Sequence, residues 1–288
     1  METAAFIVWR ESVEALLVVG ILYAWLRASP AGRRGLPWLW AGVAAGLALA
    51  GVLALALLGV ASWLGDSAQE WFQAAMAMAA CALVVQMVLW MRVHGRGLKT
   101  QLESGASAHA ATGHWWGLLV LVAIAVAREG SETVVFLYGT ILSSSQGGQV
   151  AAMLLAGVGG FAAALLTFWL LQLGGRVITW RRFFRVTEVL LLLLAGALLV
   201  GATDRLLSLG VLPGLVDPVW DSSALLSTSS GVGKLLADFA GYRDFPALSQ
   251  LLIWLGYWAL VGWLLHRSQP KGTAHAAQRV RASTSTAS

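Results

Sequence analysis

Hydrophobic residues fall into long, nearly continuous runs along this chain rather than into the short alternating stretches of a soluble domain. A run of about 20 residues is long enough to cross a lipid bilayer as a helix. Such runs lie at about 4–26, 37–62, 70–91, 115–141, 150–172, 184–203 and 249–266. The pattern predicts an all-α polytopic membrane protein with seven transmembrane helices in one domain over residues 1–267.

The composition agrees with a membrane location. Of the 288 residues, 58% are apolar and 11% are charged, whereas a soluble domain has about 25% charged residues. The three residues before the first run include none of the basic residues of a signal peptide, so we expect this helix to remain in the mature protein. Cys81 is the only cysteine, which excludes an intrachain disulfide and a cysteine-based metal site.

Basic residues alternate between the connections and predict an orientation. Arginine and lysine follow the first, third and seventh runs and surround the start of the sixth, while the other connections are acidic or uncharged. The positive-inside rule therefore places the N-terminus outside and the C-terminus in the cytoplasm of a multi-pass protein of the cytoplasmic (inner) membrane. The same bias explains the net charge of +5, so a nucleic-acid partner is not expected.

Two segments outside the long runs carry their own predictions. The external segment 204–248 contains Leu-Leu pairs at 225–226 and 235–236 together with Phe239. This is enough apolar surface for a short amphipathic helix, which either covers an entrance as a lid or packs as a simple loop. Residues 268–288 are rich in Ser, Thr and Ala and are predicted to form a disordered cytoplasmic tail.

Small and aromatic residues in the runs are assigned to packing and anchoring. Small residues spaced by four are typical of closely packed membrane helices, and they occur at Gly42, Gly46 and Ala50 in the second run and at Gly159, Ala163, Gly160 and Ala164 in the fifth. Many of the 15 tryptophans, Trp90 among them, lie near the ends of runs. We expect them to anchor the helices at the membrane interface.

An Arg-Glu-x-x-Glu motif occurs twice inside hydrophobic runs, as Arg10, Glu11 and Glu14 in the first and as Arg128, Glu129 and Glu132 in the fourth. A charged side chain near the centre of a membrane helix costs about 2.5 to 3.5 kcal/mol, so such residues persist where they pair or function. Each residue of a helix advances about 100°, which places the three charges of each motif on one broad face. The arginine can therefore pair with the glutamate four residues on, and both glutamates can turn toward a common point.

The two motifs lie three predicted spans apart, so the helices that carry them run in opposite directions. This spacing predicts an inverted repeat, with one copy over about 4–91, the other over about 115–203, and the seventh helix added at the end. Transporters of this construction bind their substrate at the repeat interface near the bilayer midplane. We therefore expect the two motifs to face one another.

Facing motifs would form a binding site for a metal cation. Four carboxylates and two guanidinium groups would converge with a net charge near −2, which a cation of charge two or three would complement. Carboxylate oxygens suit hard ions such as Ca²⁺, Mg²⁺, Mn²⁺ and Fe³⁺, and no run has a histidine in its interior to build a typical zinc site. Arg10 and Arg128 would support the site by holding the glutamates until metal arrives. In the opposing interpretation, the six charges are ion pairs that only lock the two helices together.

Three further acidic residues are candidates for an accessory role. Asp66 and Glu70 lie on the external side and would attract cations into a vestibule, although solvated loop acids are common. Glu188 either lines the inner exit or only pairs with Arg185, three residues earlier.

The doubled motif resembles the signature of the oxidase-dependent iron permease family, which includes the bacterial Efe-type iron uptake permeases and has Arg-Glu-Gly-x-Glu in helices one and four. The likeness covers nearly the whole chain and includes the number of spans, residues 126–130 and the external region 226–242. Ser12 stands where the family usually has Gly, and Ser131 stands where Leu is common.

The resemblance implies that iron is a transported substrate and that no cofactor is permanently bound. It implies that Glu11, Glu14, Glu129 and Glu132 handle the iron, and that extracytoplasmic partners oxidise ferrous iron and deliver ferric iron. The sequence therefore predicts a ferric iron permease in the lipid bilayer.

Two alternatives to an iron permease stay open. One is a carrier for another metal, such as manganese or lead, or a proton-coupled cation exchanger, because oxygen ligands permit all of these. The other is an intramembrane enzyme. An enzyme is not expected, because no run places a histidine beside the acids to support hydrolysis.

Overall fold

Helices account for the architecture of the protein. The computed structural model describes residues 2–28, 32–94, 115–143, 150–173, 180–229 and 231–268, together with 104, 105 and 107. Within these residues there is no strand, and the helices with defined bounds are seven of 20 to 29 residues and one of 10. They are α1 (Glu2–Ala28), α2 (Leu36–Trp63), α3 (Asp66–His94), α4 (Trp116–Ser143), α5 (Val150–Leu173), α6 (Trp180–Ser208), α7 (Gly231–Ala240) and α8 (Leu248–Arg267). A short 3-10 helix, Gly32–Gly35, precedes α2.

The long helices follow the predicted hydrophobic runs. Each run forms a helix, and no boundary differs from its prediction by more than 5 residues. Pro37 lies in the first turn of α2, where its missing N–H group is not needed for an intrahelical hydrogen bond. The prediction of an all-α protein is therefore confirmed for the described residues, while the predicted tail lies outside them.

Four of the described helical stretches are long and apolar enough to cross a membrane, namely Gly32–Trp63, Ser67–Val93, Arg185–Ser208 and Leu248–Arg267. In α1 and α4 the motif charges interrupt the apolar sequence, and α5 has a shorter apolar stretch, Leu155–Leu170. Large apolar side chains cover the outer surface of α2, α5 and α8. An apolar surface of this extent suits contact with lipid, so the fold is that of a multi-pass membrane protein.

Exposed arginines are concentrated at one of the two ends of the helix bundle. At one end Phe6, early in α1, contacts Phe239 of α7 with ring centroids 5.8 Å apart. At the other end Trp38, early in α2, contacts Trp116, the first residue of α4, at 6.1 Å. Exposed arginines gather at this second end, and they are Arg27, Arg33, Arg34, Arg92, Arg185 and Arg267.

The helix predicted within segment 204–248 forms as α7, but its buried face is not the leucine face. α7 begins at Gly231, so only the second Leu-Leu pair belongs to it. Gly233 and Ala237 are its buried residues, whereas Leu235 and Leu236 are 41% and 40% exposed. α7 therefore packs closely through small residues and leaves both leucines at the surface.

Polar contacts fasten segment 204–248 to itself and to α6. Arg243 Nε donates to Oδ2 of Asp204, near the end of α6, at 2.9 Å. Thr228 donates to Asp244 twice, from Oγ1 to Oδ1 at 2.9 Å and from its backbone N–H to Oδ2 at 3.2 Å. Desolvation acts to raise the pKa of Asp244, but these hydrogen bonds outweigh it and hold that pKa below its ordinary value.

Close packing requires small residues where two helix backbones meet. α2 packs along α4, α1 along α5 and α3 along α6, and α4 also contacts both α1 and α3. A Cβ atom added at Gly46 would lie 2.7 Å from Cβ of Val126, and one added at Gly160 would lie 2.5 Å from the carbonyl oxygen of Ala5. A larger residue at either position would therefore push the helices apart.

The predicted packing role is correct for the small residues that are buried, which are Gly42, Gly46, Ala50, Gly160 and Ala164. It is wrong for Gly159 and Ala163, which are exposed, and a Cβ atom at Gly159 would have open space around it. Adjacent residues of a helix point about 100° apart, so only one of the two small-residue rows of α5 can face α1.

Candidate metal-ion site

The charged residues of the first motif lie on the buried face of α1. Arg10 and Glu11 are 2% and 1% exposed, and Glu14 is 12% exposed. The apolar residues Ile7 and Val13 on the same helix are fully buried, so they fix this face of α1 against the neighbouring helices. Burial of three charges among apolar side chains is favourable only if they are paired or functional.

Arg10 connects the two glutamates of its own motif. Its Nη1 atom lies 2.7 Å from Oε1 of Glu11, and its Nη2 atom forms an ion pair with Oε1 of Glu14. The predicted pairing of residues four apart is therefore present. The contact with the adjacent glutamate goes beyond it, because one guanidinium group contacts both carboxylates and leaves one of the two negative charges uncompensated.

Arg128, the corresponding residue of the second motif, is placed differently. Its Nε atom lies 3.1 Å from Oε1 of Glu132, as the spacing predicts, but its side chain is 39% exposed. The guanidinium carbon lies 4.6 Å from the ring centroid of Trp90, and the side chain borders a groove of about 420 Å³ between α2 and α4. Trp90, predicted to be an interfacial anchor, thus contacts a motif arginine through a cation–π interaction.

Carboxylates from α1 and α4 meet at one place. One oxygen from each of Glu11, Glu14 and Glu129 lies within 4.8 Å of the other two. Metal–oxygen distances of about 2.0 to 2.6 Å place opposite ligands of one ion about 4 to 5 Å apart, so a single ion could contact all three residues. Glu132 stays outside this group of three and is held by Arg128.

Several carboxylate oxygens of the two motifs have no partner. The Oε2 atoms of Glu11, Glu129 and Glu132 are buried and accept no hydrogen bond from any described residue. A buried acceptor left unpaired costs about 1 to 3 kcal/mol, and more if it is charged. A bound cation would relieve this cost, so the cluster has the chemistry of a cation site with oxygen ligands.

α3 supplies one wall of the cluster, which the sequence analysis missed. Met87, Trp90 and Met91 share one face of α3 because they are spaced by three and four residues. Nη1 of Arg10 donates to Sδ of Met87, and Nη2 of Arg10 donates to Sδ of Met91 at 3.3 Å. Nothing in the sequence pattern marks these methionines, because in an apolar run they are indistinguishable from packing residues.

Of the accessory candidates with described side chains, neither Glu70 nor Glu188 belongs to the group of three carboxylates. Asp66 begins α3, but its side chain is outside the described part of the structure, and Glu70 is exposed one turn later. Glu188 forms an ion pair with Arg92 of α3. Of the two alternatives for Glu188, pairing with Arg185 is replaced by pairing with Arg92, which the contact between α3 and α6 brings close, and a place along the inner exit stays a prediction.

Ionisable side chains from two helices are buried at a shared centre in a multi-pass helical membrane protein, and this construction is that of a membrane ion transporter. The chain belongs to the iron permease FTR1 family, whose sequence profile it matches over residues 1–267. The family resemblance inferred from the doubled motif is thus confirmed. A permease is a transporter, which agrees with the expectation that the protein is not an enzyme.

The chain is similar to proteins named ferrous iron permease EfeU. That of Escherichia coli O6:K15:H31 (strain 536 / UPEC) is 32% identical over 282 residues, which cover 95% of this chain and 98% of that protein. That of Yersinia pestis is 30% identical over 282 residues, covering 95% and 96%, and that of Shigella sonnei (strain Ss046) is 32% identical over 257 residues, covering 87% and 90%. No solved structure matches the chain. Its relatives and its apolar helices identify a multi-pass inner-membrane protein.

Proposed function

We propose that this protein is an iron uptake permease that carries iron through a site lined by Glu11, Glu14, Glu129 and Glu132. The observation that carries the proposal is the meeting of three carboxylates from helices more than 100 residues apart in the sequence, with buried oxygens that lack a partner. Family membership supplies the cargo, and the cluster supplies the one described group of carboxylates with metal-binding spacing.

Arg10 acts as an internal counter-cation in this proposal. Its guanidinium group contacts Glu11 and Glu14 and offsets one of their two charges while no iron is present. An arriving ion first engages the unpaired Oε2 atoms and then takes over the oxygens that Arg10 had contacted. When the ion leaves, Arg10 returns. One positive charge replaces another at each step, so the carboxylates keep a counter-charge within the low-dielectric interior.

Replacement of Glu129 by glutamine tests the site. Glu129→Gln keeps the size of the side chain and removes its charge, so uptake of radiolabelled iron by cells should fall to background while the protein level is unchanged. Glu2→Gln is the matched control, because Glu2 is an exposed acid at the start of α1 and should support wild-type uptake. Normal uptake by Glu129→Gln would refute the proposal.

An inverted repeat is the second part of the proposal. If α1–α3 correspond to α4–α6, the packing of α2 on α4 and that of α1 on α5 exchange under the pseudo-symmetry. The contacts of α1 with α4 and of α3 with α6 map onto themselves. These four contacts support the repeat, whereas the contact of α3 with α4 has no counterpart of similar extent between α6 and α1 in the described part of the chain. An experimental structure in which the two halves fail to superpose would exclude it.

The orientation of the chain and its external partners complete the proposal. The end of the bundle with exposed arginines is assigned to the cytoplasm by the positive-inside rule, which leaves the N-terminus and segment 204–248 outside. Iron would arrive there from an extracytoplasmic oxidase or delivery protein. A reporter that works only in the cytoplasm should be active when it is fused after residue 268. Activity of a reporter that works only outside the cytoplasm would reverse the assignment.

The oxidation state of the cargo is not fixed by the glutamates. Carboxylates are hard ligands that bind both states of iron. Ferric iron is the state expected from the family resemblance, whereas the relatives above are named for ferrous iron.

A carrier for another divalent metal or a proton-coupled cation exchanger is the alternative. Oxygen ligands alone do not exclude it, and competition by manganese in vesicles that take up iron would measure it. Manganese uptake that exceeds iron uptake would favour the alternative.

A further inference from the structure

We propose that Met87 and Met91 form a thioether wall of the glutamate site, and that this wall makes the site selective for ferrous over ferric iron and accessible to soft monovalent ions such as Ag⁺. The inference deepens the function proposed above and rests on it for the identity of the cargo. It assigns a role in selectivity to two residues of α3 that lie outside the doubled motif.

The contacts of Arg10 show what a cation at this position meets. Nη1 touches both Oε1 of Glu11, at 2.7 Å, and Sδ of Met87. Nη2 touches both Glu14 and Sδ of Met91, the latter at 3.3 Å. The guanidinium group stands in for a bound cation here, because it holds positive charge at the point where two carboxylates and two thioethers meet. A metal ion that displaces it comes within reach of the same four side chains.

The two methionines differ from ordinary packing residues in what their sulfur atoms face. Methionine in a membrane helix usually fills irregular apolar space. Met87 is 2% exposed, and its sulfur is directed at a buried charge rather than at apolar atoms. Met78 lies on the same helix but is 41% exposed, on a surface suited to lipid. α3 therefore directs one pair of thioethers at the cluster and leaves Met78 at the surface.

An independent observation indicates that the same place binds a ligand. Glu11 is 1% exposed, and its Oε2 atom has no hydrogen-bond partner among the described residues. Arg10 satisfies the Oε1 atom of Glu11 only. A buried oxygen of Glu11 thus remains unpaired on a carboxylate whose other oxygen shares the Arg10 guanidinium group with the two sulfur atoms, which gives a mixed oxygen and sulfur ligand set.

Thioether sulfur changes the preference of an oxygen site. It is a neutral, polarisable donor, so it adds no negative charge to hold a trivalent ion and binds soft ions better than hard ones. A methionine ligand on iron stabilises the reduced state. The wall therefore favours ferrous iron at the crossing step, in contrast to the ferric iron expected from the family resemblance. No electron transfer is needed within the site.

Silver ion is the probe for the thioether wall, because it is soft and does not change its oxidation state under the assay. Wild-type protein, Met87→Leu/Met91→Leu and the control Met78→Leu are purified and reconstituted into liposomes. Leucine keeps the volume and removes the sulfur. Uptake of radiolabelled iron is measured with ferrous iron under reductant and with ferric citrate, each with increasing Ag⁺. X-ray absorption of the Ag⁺-loaded proteins, each also carrying Cys81→Ala so that the thiol cannot bind the ion, reports thioether ligands directly.

We expect Ag⁺ to inhibit wild type and Met78→Leu equally. In the double variant the half-inhibiting concentration of Ag⁺ should rise about 10- to 100-fold, the range found when residues supporting a metal site are removed. The ratio of ferrous to ferric uptake should fall in the same variant, and the sulfur ligands of Ag⁺ should disappear. The single variants Met87→Leu and Met91→Leu should show part of each change, which keeps the test usable if the double variant does not fold.

Wild-type protein that binds Ag⁺ without sulfur ligands would overturn the thioether wall, as would a folded double variant with unchanged Ag⁺ inhibition and an unchanged ratio of ferrous to ferric uptake. Failure of the proposed function would give a different experimental result. In that case wild type takes up neither form of iron, or Glu129→Gln takes up both normally, whatever the spectrum of bound Ag⁺.

Discussion

Replacing Arg10 with methionine should destabilise the protein far more than the same replacement at Arg128. The sequence gives the two arginines equivalent positions, but Arg10 is 2% exposed and contacts two carboxylates, whereas Arg128 is 39% exposed and contacts one. Methionine has a similar length and no charge. In each variant the change therefore removes the guanidinium group and little of the packing.

The expected magnitudes follow from burial. Removing one partner of a buried ion pair costs about 3 to 5 kcal/mol, because the other charge remains uncompensated. At Arg128 the partly exposed ion pair contributes about 0 to 1 kcal/mol and the stacking on Trp90 about 0.5 to 1 kcal/mol. The difference of about 1 to 4.5 kcal/mol corresponds to about 2 to 18 °C in Tm, at about 2 to 4 °C per kcal/mol for a protein of this size.

Thermal unfolding in detergent, followed by the fluorescence of the 15 tryptophans, measures this difference. The variant Arg10→Met/Glu11→Gln/Glu14→Gln is the internal control, because it also removes the carboxylates that lost their counter-charge and should recover most of the stability. Equal Tm values for the two arginine variants would refute the reasoning. So would a triple variant no more stable than Arg10→Met alone.

Two further predictions concern backbone packing and the external segment. A Cβ atom at Gly130 would lie 2.6 Å from Cβ of Ala50, so Gly130→Ala should lower the free energy of unfolding by about 1 to 3 kcal/mol. Gly157 has open space around it, so Gly157→Ala should be neutral or stabilising. Equal Tm values for the two variants would contradict this expectation. Asp244 contributes stability above about pH 3.9, the ordinary pKa of aspartate, and loses it as the pH falls through the lower pKa of the folded state. Thr228→Val removes one of the hydrogen bonds that lower the pKa of Asp244. As the pH is lowered, hydrogen–deuterium exchange of segment 204–248 should therefore increase at a higher pH in this variant than in wild type. An unchanged pH profile would argue against the role of Thr228.

Much of the fold could be predicted because a membrane helix is recognisable from the composition of its own segment. A run such as 37–62 is apolar over its whole length, and backbone groups in lipid must be satisfied within the helix itself, so length and composition suffice to predict α2. The failures came where the outcome depends on a neighbouring helix. Gly159 and Gly160 have the same local pattern, and only contact with α1 buries one and leaves the other exposed.

The candidate site divides in the same way. Charge in an apolar run is expensive wherever the run is placed, so Glu11, Glu14, Glu129 and Glu132 were identifiable from sequence alone. Their pairing four residues apart also follows from helix geometry. The sequence does not predict that three of the glutamates lie within 4.8 Å of one another while Glu132 is excluded. This grouping depends on how α1 crosses α4.

By itself the sequence determined that the chain is helical, that it lies in a membrane, that its doubled charges are functional candidates and that it resembles iron permeases, because each of these depends on local composition or on spacing along one helix. Only the tertiary structure decided that Arg10 is enclosed while Arg128 is partly exposed, that Glu188 pairs with Arg92, and that α3 brings two methionines to the glutamates. These features arise from contacts between helices distant in the chain. An apolar side chain gives no sign in the sequence of which charge it will meet.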